Sequence, residues 1–267
     1  MNYDIPITKN VAWDASKQIS ALVAGSRGMG KSWFSMYLAL KLATLPVPAQ
    51  LFAIDFKQSD VSRLAPLLPA GRVATTKDDI FALLERYVSL MKERATFVND
   101  NTAFGATANC LGMPLYYLWY DEFGAFTATL DNKEKKRHDD LLSQIALLGR
   151  QYNWGLLAIM QQASVGNSGL NSSIKEQFGF IVHMGSASKV AYRQTFGEST
   201  DFPLEKLDRG EGLYWLQSVT NHGAVKPFKS KDLSNIDLWA EFKKAFALQN
   251  DSDYLTLITN SNQSRGR

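Results

Sequence analysis

Hydrophobic residues along this chain fall into short runs of strand length, separated by longer stretches with helical spacing. Residues 19–24 form the first compact apolar run and residues 51–54 the second; others lie at 115–120, 155–160, 180–184 and 212–217. Between them apolar positions recur every three or four residues. Phe34, Tyr37, Leu38 and Leu42 follow the first run, Ile80, Leu84, Tyr87 and Met91 lie within 77–97, and Leu141, Leu142, Ile145 and Leu148 lie within 132–150. Two shorter helical patterns occupy 189–196 and 236–248. Runs that are apolar at nearly every position suit strands covered on both faces, so their alternation with amphipathic helices predicts an α/β fold: a mainly parallel sheet with helices on both faces. Residues 5–13 alternate loosely and predict an edge strand or hairpin, while 99–113 and 163–173 are small and polar and read as loops. No linker or repeat divides residues 1–248, which read as one domain, and the polar stretch 249–267 reads as a flexible tail.

The first apolar run leads directly into Gly25, Ser26, Arg27, Gly28, Met29, Gly30, Lys31 and Ser32, which fit the pattern G-x-x-x-x-G-K-[ST], with helical periodicity starting at Trp33. Strand, glycine loop and helix in that order are the context in which this pattern binds phosphate. The glycines admit backbone angles closed to other residues, so successive N–H groups turn inward around an anion at a helix N-terminus. All eight residues are therefore expected to bind ATP, with Lys31 reaching the β and γ phosphates and the Ser32 hydroxyl binding Mg2+.

Two further runs end in polar residues of matching chemistry. The aromatic run 115–120 closes on Asp121 and Glu122. Asp121 is expected to hold Mg2+ and Glu122 to act as general base toward the attacking water. The run 155–160 closes on Gln161, expected to face the γ phosphate. Arg150 ends the helical stretch before that run. It reads either as a charge complementing the helix dipole or as an arginine finger acting in a neighbouring subunit's site.

Composition narrows the field without choosing within it. At 267 residues with 45% hydrophobic and 21% charged residues, the chain has the make-up of a globular protein with a substantial core. Cys110 is the single cysteine, which excludes an intrachain disulfide and a cysteine-rich metal site and points to a reducing, cytoplasmic setting. The three histidines lack ligand spacing, which argues against a zinc enzyme. Residues 1–6 lack the features of a signal peptide, and no run approaches the length of a membrane span.

Taken together, the motifs resemble the motor domain of the FtsK-HerA superfamily of ring ATPases, almost from end to end. The approach to Lys31-Ser32, the strand end Ala53-Ile54-Asp55-Phe56-Lys57, Met91-Lys92-Glu93-Arg94, the acidic strand end Asp121-Glu122-Phe123, Gly149-Arg150 before the strand ending at Gln161, and Gly210-Glu211-Gly212-Leu213-Tyr214 fall in family order. Phe56 stands where the family has proline, Glu211 where it has aspartate, and Gln162-Ala163-Ser164 where it has Arg-Pro-Ser. The resemblance implies a RecA-like P-loop sheet and a homo-oligomeric ring, a hexamer, that threads double-stranded DNA through its pore at the expense of ATP. The size of the given chain suits packaging of a viral genome or movement of mobile-element DNA, with a capsid or transfer apparatus as partner. No segment of it resembles the membrane anchor or winged-helix module of chromosomal FtsK, so septal anchoring and sequence-guided loading are not carried over. The alternative is a superfamily assembly ATPase that acts on proteins, and a non-hydrolysing scaffold is disfavoured by Lys31, Asp121 and Glu122.

A pore that grips DNA touches phosphates rather than bases. Lys133, Lys135, Lys136 and Arg137 form one basic cluster, and Ser164, Asn167, Asn171 and Lys175 one polar loop, that suit such contact. A solvated helix start and an ordinary surface loop are the structural readings of the same residues. The formal net charge of +3 decides neither.

Overall fold

A computed structural model describes residues 2–163, 169–198, 200–203, 206–217, 219–220 and 224–250. Strands β1 (Asp4–Pro6) and β2 (Ala12–Asp14) pair as a small antiparallel hairpin. The chain then alternates: β3 (Ala21–Gly25), α1 (Lys31–Ala43), β4 (Gln50–Asp55), β5 (Val73–Ala74), α2 (Lys77–Asn101), β6 (Tyr116–Asp121), α3 (Phe123–Thr127), α4 (Asn132–Tyr152), β7 (Trp154–Ile159), α5 (Ser172–Lys175), β8 (Phe180–Met184), α6 (Lys189–Phe196), β9 (Glu211–Leu216), β10 (Lys226–Lys229) and α7 (Leu238–Phe246). One eight-stranded sheet has the order β10-β9-β8-β3-β7-β6-β4-β5. From β8 to β5 every neighbouring pair is parallel, and β9 and β10 are added antiparallel at one edge. The mainly parallel α/β fold read from the sequence is thus the fold observed.

Strict alternation along the strands divides the core in two. Val23, Trp119, Ile159 and Val182 face one way, with α1, α7 and the hairpin over them. Leu22, Leu118, Leu156 and Ile181 face the other way, covered by α2 and α4. The hairpin seats itself through Trp13, fully buried and stacked 5.1 Å from Phe180, and through the Tyr37 hydroxyl, which donates to the Pro6 carbonyl at 2.6 Å.

Local sequence marks the helix starts. Asp131 accepts hydrogen bonds from the Lys133 and Glu134 N–H groups at 2.8 Å each, and Glu134 reaches back to the Asp131 N–H at 3.0 Å, a capping box that opens α4. At the other end of α4, Gly149 lies so close to β7 that a Cβ there would sit 1.9 Å from the Trp154 carbonyl oxygen. Gly149→Ala is expected to cost about 1–3 kcal/mol or more of stability by forcing helix and strand apart, read as a lower urea midpoint.

The shortest elements were not legible in the sequence. β10 has a single buried residue, Phe228, and is a strand because it pairs with β9. The segment expected as a tail begins with two residues fixed to the sheet: Gln249 accepts from the Leu51 N–H at 2.7 Å and donates to the Ala49 carbonyl at 2.7 Å, and Asn250 accepts from Arg72. The remainder, 251–267, lies outside the described residues.

Candidate active site

Parallel strands share one carboxyl-end edge, and the chemistry anticipated above collects there. β3 delivers Gly25, β6 delivers Asp121, and Gln161 follows two residues after β7. Gly25 has φ 141°, and a Cβ at this position would come within 2.4 Å of the Met184 carbonyl oxygen on β8. Gly30, at φ 98°, is the N-cap of α1, so the first N–H groups of that helix open toward the same space. From the β8–β9 side the Gly210 N–H donates to the Met29 carbonyl at 3.1 Å, and the Met29 side chain packs against Gly185. These contacts hold the loop against the ends of β8 and β9.

The Lys31 ammonium crosses the loop to donate to the Ser26 carbonyl at 3.0 Å. Burial lowers its pKa, and the charges of Glu122 and Asp121 act in the opposite sense. Lys31, Ser32, Asp121, Glu122 and Gln161 all line one cleft of about 510 Å³.

Asp121 sits in an acidic pair. Its register partner on β4 is Asp55, fully buried, and the Ser59 hydroxyl lies 3.0 Å from Asp55 Oδ2 and 3.2 Å from Asp121 Oδ2. Asp55 Oδ2 also accepts from the Ser59 and Ser62 N–H groups at 2.7 and 2.9 Å, while its Oδ1 is buried without a hydrogen-bond partner. Burial, then the Asp55 charge, pushes the Asp121 pKa up from 3.8 to about 6. The Asp55 and Asp121 carboxylates beside the Ser59 hydroxyl are hard oxygen donors of the kind that suit a divalent cation, and Ser32 lines the same cleft as Asp121.

Between pH 4 and 6 the native state therefore holds a proton on Asp121 that the unfolded chain has released, and stability falls as pH rises through that window. Asp121→Asn is accordingly expected to raise the melting temperature of the nucleotide-free protein at pH 7.5, by a few degrees for roughly 1–3 kcal/mol, and to leave it nearly unchanged at pH 4. Thermal melts at the two pH values check this, and no gain at pH 7.5 would refute the strain.

Glu122 follows with φ 47°, a left-handed backbone that costs a non-glycine residue on the order of 1 kcal/mol and turns its side chain into the cleft at the start of α3. Its carboxylate pairs with the Lys57 ammonium at 3.5 Å.

Arg150 stands elsewhere. α4 runs against the strands, so its last turn lies at their amino ends, and Arg150, which is exposed, is separated from the cleft by the length of β7, roughly 16 Å at 3.3 Å per residue. Lys133, Lys135, Lys136 and Arg137 begin the same helix at the carboxyl-end edge. Lys135 pairs with Asp139 at 3.2 Å, and Arg137, though exposed, pairs with Glu85 and lies over the Phe81 ring; Lys133 and Lys136 are exposed as well. Asn171 caps α5, and the partly buried Lys175 ammonium donates to the Gln194 carbonyl. Ser164 and Asn167 lie outside the described residues.

Three site residues were given no role from the sequence. Asp55 and Lys57 carry a weak signal, since they end the second apolar run as Asp121 and Glu122 end the third. Arg209, on the cleft wall beside Gly30, carries none: only the pairing of β9 with β8 brings it to the loop.

A nucleoside triphosphate is the ligand such a cradle and cleft are shaped for, and the chain is a P-loop ATPase. Residues 1–108 match the model of the FtsK/SpoIIIE family. The FtsK domain-containing protein YdcQ of Bacillus subtilis is 29% identical over 210 residues, 78% of this chain and 43% of the relative, so the chain spans less than half the length of that protein. Solved structures share its fold: the conjugation coupling protein TcpA of pCW3 with ATPγS (TM-score 0.68, 15% identity, 91% of this chain and 70% of that one) and the cytoplasmic domain of the type VII secretion ATPase EccC of Thermomonospora curvata (TM-score 0.67, 19% identity, 92% and 31%). The genome packaging NTPase of Sulfolobus turreted icosahedral virus 2 with AMPPCP is more distant (TM-score 0.50, 12% identity, 79% and 97%). Among the described residues no helix is long and apolar enough to cross a membrane.

Proposed function

We propose that this chain is one subunit of a hexameric ring that hydrolyses ATP to translocate double-stranded DNA, that of a virus or a mobile element, in the cytoplasm. The observation that carries the reading is the split of the site: Lys31, Ser32, Asp121, Glu122 and Gln161 share one cleft while Arg150 is exposed on the opposite edge of the sheet. One subunit holds and cleaves, and a neighbour supplies the last cation. Lys31 and the loop N–H groups hold the β and γ phosphates, Glu122 takes the proton of the attacking water, and Gln161 stands at the γ-phosphate end. Mg2+ held by Ser32 and Asp121 would supply charge neutralisation on the phosphate oxygens. Beyond Glu122 and Gln161 the cleft continues into a space of about 560 Å³ bounded by Arg27 and Lys57, room for a residue from next door.

The DNA part of the reading is supported by the FtsK/SpoIIIE match and by exposed Lys133 and Lys136 at the edge that carries the cleft. Duplex DNA of any sequence is expected to stimulate ATP turnover, with stimulation falling as salt rises. Lys31→Ala is expected to abolish nucleotide binding and turnover in the same assay. Turnover indifferent to DNA across a range of salt would remove the translocase reading. An assembly ATPase acting on proteins is the second reading, and it is favoured by the self-neutralised basic cluster, where Lys135 and Arg137 are already paired, and by fold likeness to a secretion ATPase.

A further inference from the structure

Glu122 holds a left-handed backbone, and a non-glycine residue keeps such a conformation only where its surroundings over-determine it. The residues on either side supply that constraint. Tyr120 stands two positions earlier, near the end of β6, and Phe123 follows at the start of α3; both are fully buried, with ring centroids 5.0 Å apart. A third ring, from α4, lies against both. His138 is fully buried, with its centroid 5.8 Å from that of Tyr120, 5.4 Å from that of Phe123 and 5.5 Å from that of Phe126 further along α3.

An apolar ring would fill this space without burying polar atoms, so packing alone does not account for a histidine. Its two nitrogens supply the reason: Nε2 lies 3.0 Å from the Tyr120 hydroxyl, and Nδ1 lies 3.5 Å from Asp139 Oδ1. The carboxylate beside Nδ1 favours the proton there, so Nε2 accepts and the buried Tyr120 hydroxyl donates. Asp139 is held in turn by the Lys135 ammonium at 3.2 Å. Ring contacts tolerate sliding, whereas a hydrogen bond of 3.0 Å between two buried groups fixes the height of α4 along β6. We propose that His138 is a positioning residue for Glu122: through its hydrogen bond to Tyr120 and its contact with Phe123 it sets the angle at which the turn between β6 and α3 presents the Glu122 carboxylate to the cleft. This assignment rests on the reading of Glu122 as general base.

Because the hydrogen bond has two protein partners, it can be removed with and without a loss of stability. His138→Phe keeps a ring but leaves the Tyr120 hydroxyl buried without an acceptor, and is expected to lower both the melting temperature and turnover. Tyr120→Phe combined with His138→Phe removes both polar groups, which brings the melting temperature back to that of the wild type or above it. Single-turnover hydrolysis by the full chain, at saturating Mg-ATP and well below every melting temperature, is expected to be about tenfold or more slower in both proteins with ATP affinity unchanged, since a displacement of about 1 Å can cost on the order of a hundredfold. His138→Gln, whose amide reaches as far as Nε2, is expected to recover most of the rate. Added to Glu122→Gln, His138→Phe is expected to slow the residual reaction no further, because it acts through the group already removed. Wild-type turnover in the double phenylalanine variant, rates that simply follow melting temperature across the series, or an undiminished loss in the Glu122→Gln background would each overturn the assignment. Failure of the base reading looks different: Glu122→Gln by itself then turns over normally.

Discussion

Glu122→Gln protein is expected to bind ATP with near wild-type affinity and to hydrolyse it about 10²–10⁴-fold more slowly. The amide keeps the size and left-handed turn of the native residue but cannot take a proton from water. Its removal also frees Lys57, whose ammonium sits 3.5 Å from the carboxylate, and a cation released at the phosphate end of the cleft favours bound triphosphate. Single-turnover hydrolysis beside a binding isotherm checks both halves. Normal turnover would take the base role away from Glu122, and lost binding would make it a structural residue of the turn.

Arg150→Ala is expected to lower turnover about 10³–10⁵-fold, the range of an arginine finger, without weakening nucleotide binding by an isolated subunit. The reason is positional. Arg150 lies on the edge of the sheet away from Lys31, at a distance no side chain spans, so any part it takes in cleavage must be played in another copy's cleft. Mixing Arg150→Ala with Glu122→Gln subunits should therefore restore part of the activity, because an Arg150→Ala subunit keeps an intact Glu122 and receives Arg150 from its neighbour. No recovery in mixed assemblies, with each variant shown to assemble, would leave Arg150 a helix-terminal charge.

Much of this architecture was open to reading before any coordinates. The strand runs at 19–24, 51–54, 115–120, 155–160, 180–184 and 212–217 are strands within a residue or two, because strands buried on both faces of a sheet are apolar at nearly every position. The cradle was legible for a different reason. Its glycines, lysine and serine are contiguous, so their spacing alone encodes the geometry. Basic residues misled more easily. Lys135, Arg137 and Lys175 look available in a linear string, yet their partners Asp139, Glu85 and the Gln194 carbonyl engage them in the fold.

Contiguous residues thus declared themselves: the glycine loop with its lysine, the acidic strand end and the apolar runs each act through neighbours a few positions away. Tertiary structure alone decided which distant residues meet. It set Asp55 beside Asp121 by strand register, brought Arg209 to Gly30 through an antiparallel strand added late in the chain, pinned Gln249 to the start of β4, and put Arg150 on the far edge. The physical reason is that local backbone preference and periodicity are properties of a segment, whereas strand order and register follow from how all the segments share one core.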